Sequence, residues 1–258
     1  PPRELYPMVH AEVLPRLNAL SGIEHPPGVL ELKFTGIGES DFHQGVDAGL
    51  AAIPGLEYGY CAHIGEVDLR LIGSAEALER GKFIALESFE RFLISDDGAS
   101  MEATVVRLLK ERQMTLATAE SCTGGLISCR VTDVPGSSAV FTHGFVTYAN
   151  EAKMELLGVP SADLENHGAV SEVVAVQMAE GALKASGADI AVSVTGIAGP
   201  DGGSPEKPVG TAWIGLAANG SQAFAFKVFH PRNRLDFKLA TSQAALDLVR
   251  RKLLEIGI

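Results

Sequence analysis

The spacing of apolar residues along the chain switches between the period of two expected of a half-buried strand and the 3.6 period of a helix with one buried stripe. Leu30, Leu32 and Phe34 alternate with polar neighbours, which predicts a strand over 29–34. Phe42, Val46, Leu50 and Ile53 recur at helical spacing and predict a helix over 40–53. Residues 56–62 and 66–72 read as two strands paired across a short turn, and 75–86 as a second helix. This order predicts a small α/β domain over 22–97, too short for a large core and closed by the polar breaker run SDDGAS at 95–100. The opening PPRELYPMVHAEVLPRL reads as an amphipathic helix with no earlier strand to pack on, so 1–21 is expected to be the helical remnant of a preceding domain, with a breaker-rich linker at 22–27.

Beyond residue 100 strands and helices alternate. Val105, Leu108 and Leu109 mark the inward stripe of a helix over 101–112, and a short apolar strand is expected at 114–118. Strand-like runs at 145–148, 190–195 and 211–216 alternate with helix-like runs at 150–157, 171–186 and 235–254. Such alternation predicts one three-layer α/β/α domain over 98–258.

Composition narrows the function. A net charge of −11 with no local cluster of Lys and Arg leaves nothing to neutralise a phosphodiester backbone, so nucleic acid is not an expected partner. Residues 29–95 alone carry eleven acidic against five basic side chains. No apolar run is long enough to span a bilayer, and the start has no basic segment leading into an apolar core; neither membrane nor export is expected. Cys61, Cys122 and Cys129 cannot all pair internally and match neither a zinc ribbon nor a redox pair, which fits a reducing cytoplasm. The seven histidines show no paired ligand spacing, so no metal and no cofactor is expected.

Three segments carry candidate chemistry. ATAESCTGGLISCRV places Glu120, Ser121, Cys122 and Thr123 at a strand-to-helix turn, with Gly124 and Gly125 permitting close approach to the helix N–H groups. Such a turn suits an oxyanion or a phosphate; the plainer reading is that Ser121 or Thr123 caps the helix. In GFVTYANEAKMELLGV, Asn150 is the expected N-cap and Lys153 falls in the first helical turn, where the dipole opposes a cation and favours a neutral amine. The plainer reading there is a solvated lysine and a core tyrosine, Tyr148, whose hydroxyl reaches the surface. TGIAGPDGGSPEKPVGTAW joins two apolar strands through Gly196, Gly199, Asp201, Gly202, Gly203 and Gly210. It matches neither a Walker loop nor a dinucleotide fingerprint, but its glycines and prolines suggest a backbone path specified against a ligand rather than a plain surface loop.

Taken in order, the AESCTGG, VTYANEAK and GIAGPDGG blocks, with HGAVSE at 167–172, resemble the C-terminal domain of the CinA (competence-damage inducible) family, which includes nicotinamide-nucleotide amidases. The resemblance covers roughly 98–258. It implies cytoplasmic hydrolysis of the carboxamide of nicotinamide mononucleotide to nicotinate mononucleotide and ammonia, with Ser121 as nucleophile and Tyr148 and Lys153 in support. The expected substrate contacts are Glu120, Thr123, Gly124, Gly125, Asn150, Gly199, Asp201, Gly202 and an arginine at the start of the last helix. The family pattern FxGxRxxxR reads FHPRNRLDFK here, so Arg234 is the match with Lys238 in place of the second arginine, and Arg232 is the alternative. Residues 1–95 resemble the end of the family's N-terminal domain followed by its KH-like middle module, and the family's tendency to associate implies a homodimer. The alternative from another class is a non-catalytic module that binds or senses pyridine nucleotides through the same loops.

Overall fold

A computed structural model of the chain describes residues 2–21 and 26–256. The opening segment is helical, as expected: α1 (Pro2–Met8) and α2 (Leu14–Ser21) are joined by a π-helical stretch, Val9–Val13. Most of the 22–27 linker lies outside the described residues.

The first sheet is antiparallel, in the order β2 (Glu57–His63), β3 (Glu66–Gly73), β1 (Gly28–Thr35), β4 (Leu93–Ser95). The helices α3 (Glu39–Ala51) and α4 (Ala75–Phe89) follow β1 and β3 in sequence. Leu32, Phe34, Leu69 and Leu71 point inward from the strands and meet Ala77 and Ala85 of α4 and Phe42, Val46 and Leu50 of α3, the stripe that the spacing of α3 predicted. The opposite face is polar. Lys33 there lies 2.8 Å from Asp68, 3.0 Å from Glu66 and 3.5 Å from Glu31, and Asp68 and Glu66 hold its ammonium above the ordinary lysine range although burial works against them. The three-residue β4 was not predicted: it is too short to show a period, and its pairing with β1 is a tertiary fact.

The second sheet has the order β6 (Phe141–Val146), β5 (Leu116–Glu120), β7 (Ile190–Gly196), β8 (Thr211–Ala218), β9 (Phe224–Phe229). The first three strands are parallel and the last two antiparallel. One face packs on α5 (Met101–Glu111), α6 (Leu126–Thr132) and α10 (Arg234–Leu254), the other on α7 (Asn150–Leu157), α8 (Ser161–His167) and α9 (Glu172–Ser186). Alternation along the strands feeds the two cores: Leu116, Val192 and Ile214 join the α5/α10 side, while Ala117, Ala119 and Ala191 join the α9 side. The three-layer α/β/α expectation holds. Buried Arg250 of α10 joins the two parts of the chain, donating to the carbonyls of Leu93 at 2.6 Å and Arg91 at 3.0 Å.

Several boundaries differ from the expectation. β6 begins at Phe141, not 145, because it is an edge strand whose Thr142, His143 and Gly144 face solvent and break the apolar pattern. β5 occupies Leu116–Glu120 rather than 114–118, since a carboxylate ends it in a fully buried position. The edge strand β9 and the short helix α8 were not predicted. Asn150 is not the N-cap: Ala149 takes that place with extended backbone, and no side chain caps α7.

Candidate active site

The two sheets differ in what their strand ends offer. In the second, β5 and β7 run parallel and finish side by side, the place where open α/β sheets bind ligands. Ser121 follows β5 directly, and its N–H donates to the Val194 carbonyl at 2.9 Å. On the other side the Thr147 N–H donates to the Glu120 carbonyl at 2.8 Å, so the strand end is held from both neighbours. Gly124 and Gly125 then reverse the chain into α6 with φ of 62° and 93°, left-handed values that glycine adopts without steric cost.

Glu120, expected among the substrate contacts, has another task. Its side chain is fully buried, and its two oxygens accept from the N–H groups of Gly125 (3.0 Å), Ile127 (3.0 Å) and Ser128 (2.8 Å) and from the Ser128 hydroxyl (2.7 Å). A carboxylate satisfying the first N–H groups of a helix is favoured by hydrogen bonding and by the dipole together. The start of α6 is therefore occupied by the chain itself and is not free for an outside anion. The Gly124 N–H is also engaged, with the Ser121 carbonyl at 3.1 Å. Among the described residues the N–H groups of Cys122 and Thr123 remain without a partner within the chain.

Lys153 enters from α7. It is 1% exposed, and its Nζ lies 3.2 Å from Ser121 Oγ, 2.8 Å from the Thr147 carbonyl and 3.4 Å from the Tyr148 carbonyl. Among the described residues no carboxylate lies within ion-pair distance of it. Burial therefore holds its pKa below the ordinary lysine value, with Cys122 and Glu151 opposing only weakly. Cys122 is also buried, and desolvation pushes its thiol up to about 12, so it stays protonated at neutral pH.

Ser121, Lys153, Tyr148, Asn150 and Arg234 line one cavity of about 180 Å³. Tyr148 is exposed at its mouth, and its hydroxyl accepts from Arg234 Nη2 at 3.1 Å, while Arg234 Nη1 donates to the Gly199 carbonyl at 3.0 Å. Arg234 is the first residue of α10, whose N-cap Asn233 accepts from Leu235 and Asp236. Arg232 does not line this cavity; it lines a separate one. Lys238, one turn along α10, brings its ammonium near Gly124. Thr123 is buried beneath the turn, Asp201 and Gly202 are exposed, and none of the three lines the cavity. Sequence reasoning missed part of the wall: Thr195 and Ala198 at the end of β7, and Ala169 and Val170. The last two sit inside HGAVSE, so the block itself was the available signal. Among the described residues no group of three or more His, Cys, Asp or Glu side chains is placed to hold a metal ion.

Residues 98–253 match the family model of the CinA C-terminal domain. The chain belongs to the CinA family. A CinA-like protein of Akkermansia muciniphila is 50% identical over 246 residues, which is 95% of this chain and 59% of the relative. A putative competence-damage inducible protein of Symbiobacterium thermophilum is 53% identical over 230 residues, 86% of this chain and 54% of its own length. The chain thus spans little more than half of these CinA relatives. Among solved structures, the competence/damage inducible protein CihA of Agrobacterium tumefaciens is 42% identical with a TM-score of 0.55, over 58% of this chain and 94% of that protein. The competence damage-inducible protein A of Klebsiella pneumoniae is 34% identical with a TM-score of 0.58, over 61% of this chain and 97% of that protein. No helix among the described residues is long and apolar enough to cross a membrane.

Proposed function

We propose that residues 98–258 form an amidohydrolase domain that converts nicotinamide mononucleotide to nicotinate mononucleotide and ammonia. The observation that carries this reading is a buried lysine with no carboxylate partner among the described residues, its Nζ 3.2 Å from the hydroxyl of Ser121. A neutral amine at that distance can take the proton of a serine hydroxyl, which no charged ammonium can do. Ser121 then attacks the carboxamide carbon. The oxyanion is received by the free N–H groups of Cys122 and Thr123, because those of Gly124 and Gly125 already donate within the chain. Lys153 returns the proton to the departing ammonia, leaving an acyl-enzyme on Ser121. Water, deprotonated by the same amine, releases the carboxylate product.

The cavity of about 180 Å³ is smaller than the ~300–1,000 Å³ of a typical small-molecule pocket. It suits the carboxamide end of the substrate, with the remainder lying outward. At the mouth Arg234 has no carboxylate within ion-pair distance among the described residues, which leaves its charge for the phosphate. Tyr148 holds Arg234 in place, so proton transfer runs directly between Ser121 and Lys153 rather than through the phenol. Ammonia release from nicotinamide mononucleotide by the purified chain tests the reading. Binding of the nucleotide without ammonia release would replace it with a sensing module.

A further inference from the structure

A second cavity, of about 380 Å³, lies where the two sheets' surroundings meet and contains none of the residues of the candidate active site. From the first part of the chain it is walled by Thr35, Gly36, Gly65 and Phe92. From the second part, Phe226 and Val228 of β9 and Ala244 and Leu248 of α10 supply an apolar floor. Its size falls within the usual range of small-molecule pockets, and it exists only because both parts contribute.

Its polar groups converge on the same space. His230 Nε2 and Arg251 Nε are both buried, and among the described residues neither has a hydrogen-bond partner. The nearest carboxylate oxygen to Arg251 Nε, on Asp247, is 3.6 Å away, beyond hydrogen-bond reach. Asp247 is itself committed to buried Arg250, 2.7 Å from its Nη2. Arg232 adds a third cationic or donor group with no carboxylate within ion-pair distance among the described residues. Buried polar atoms left unpaired are rare because each loses its hydration without compensation, so two of them on side chains that line one cavity call for a partner.

We propose that this cavity binds a small organic anion: a carboxylate carried on an apolar body. The carboxylate accepts from His230 Nε2, Arg251 Nε and the Arg232 guanidinium, and the body lies over Phe226, Val228 and Ala244. The apolar floor of Phe226, Val228, Ala244 and Leu248 favours an organic anion over phosphate. Burial together with neighbouring Arg232 holds His230 below its ordinary pKa. The ligand would sit four residues before Arg234, on the linker whose His230 N–H donates to the Gly210 carbonyl at 2.8 Å.

Titration calorimetry of the 258-residue chain with benzoate, and separately with inorganic phosphate, tests the proposal. Benzoate should bind saturably at one site per chain, with phosphate weaker by at least roughly tenfold. Arg251→Met and His230→Phe should each weaken benzoate by about tenfold or more. Arg234→Ala should leave it unchanged, which separates this cavity from the candidate active site. Should the polar variants fail to fold, Ala244→Leu fills the floor without removing a polar group and should block binding. Benzoate binding that vanishes with Arg234→Ala, phosphate binding as tight as benzoate, or no saturation at millimolar benzoate would each overturn the proposal.

Discussion

The general-base role proposed for Lys153 can be tested in two independent ways, by rate and by stability. Its Nζ touches Ser121 Oγ and two backbone carbonyls, with no anion to hold a charge, and burial depresses its pKa below the ordinary 10.5. A lysine with a depressed folded pKa binds fewer protons in the native than in the unfolded state between those two values. Stability therefore rises with pH across that window, and each unit of depression costs about 1.36 kcal/mol below it. Lys153→Met removes the ionisation but also leaves the Thr147 carbonyl without its donor, an opposing cost of about 1–3 kcal/mol. The sign at neutral pH is thus a balance, but the trend is not. From pH 7 to pH 10 the melting temperature of the wild type should gain on that of Lys153→Met, by ~2–4 °C for each kcal/mol recovered in a chain of this size. Turnover of nicotinamide mononucleotide should rise with pH through one ionisation below the ordinary lysine value. Lys153→Arg retains charge but cannot lose its proton, so its turnover should fall by ~10²–10⁴-fold. Differential scanning calorimetry at stepped pH and an ammonia-release assay supply both readings. A pH-independent difference in melting temperature, or near-normal turnover in Lys153→Arg, would refute a neutral general base.

Ser121→Ala should abolish ammonia release while Cys122→Ala keeps most of it, since the thiol is held protonated by burial at about 12; the reverse pattern in a steady-state assay would move the nucleophile. Glu120→Gln replaces an acceptor of four hydrogen bonds at the start of α6 with a group that must present an amide there. Urea unfolding should show a loss of about 3 kcal/mol, and a loss below about 0.5 would mean the cap contributes little. Arg234→Ala should raise KM for the nucleotide by at least roughly tenfold while leaving the KM of the corresponding nucleoside nearly unchanged, and an equal rise for both would remove the arginine from phosphate binding.

The sequence by itself determined the class of the fold and which segments meet at the candidate site. Strands with one or both faces buried, β1, β3, β7 and β8, announce themselves because alternation or an unbroken apolar run is a direct record of burial. The edge strands of the second sheet keep little of that record: β6 exposes Thr142, His143 and Gly144, so the apolar pattern marks only its second half, and β9, the other edge, is not predicted. The AESCTGG and VTYANEAK blocks put Ser121 and Lys153 in view as candidates, but they lie 32 residues apart, and only the parallel pairing of β5 with β6 and the return of α7 bring them within 3.2 Å. Tertiary structure also decided matters of direction that a sequence does not encode. Glu120 could face substrate or cap a helix, and it caps because α6 begins where its carboxylate ends. Arg232 and Arg234 differ by two positions, and the cap at Asn233 separates them: it starts α10 at Arg234, whose guanidinium reaches the candidate active-site cavity while Arg232 lines the other one. Spacing along a chain fixes which residues share a face, but what that face meets depends on where every other element packs.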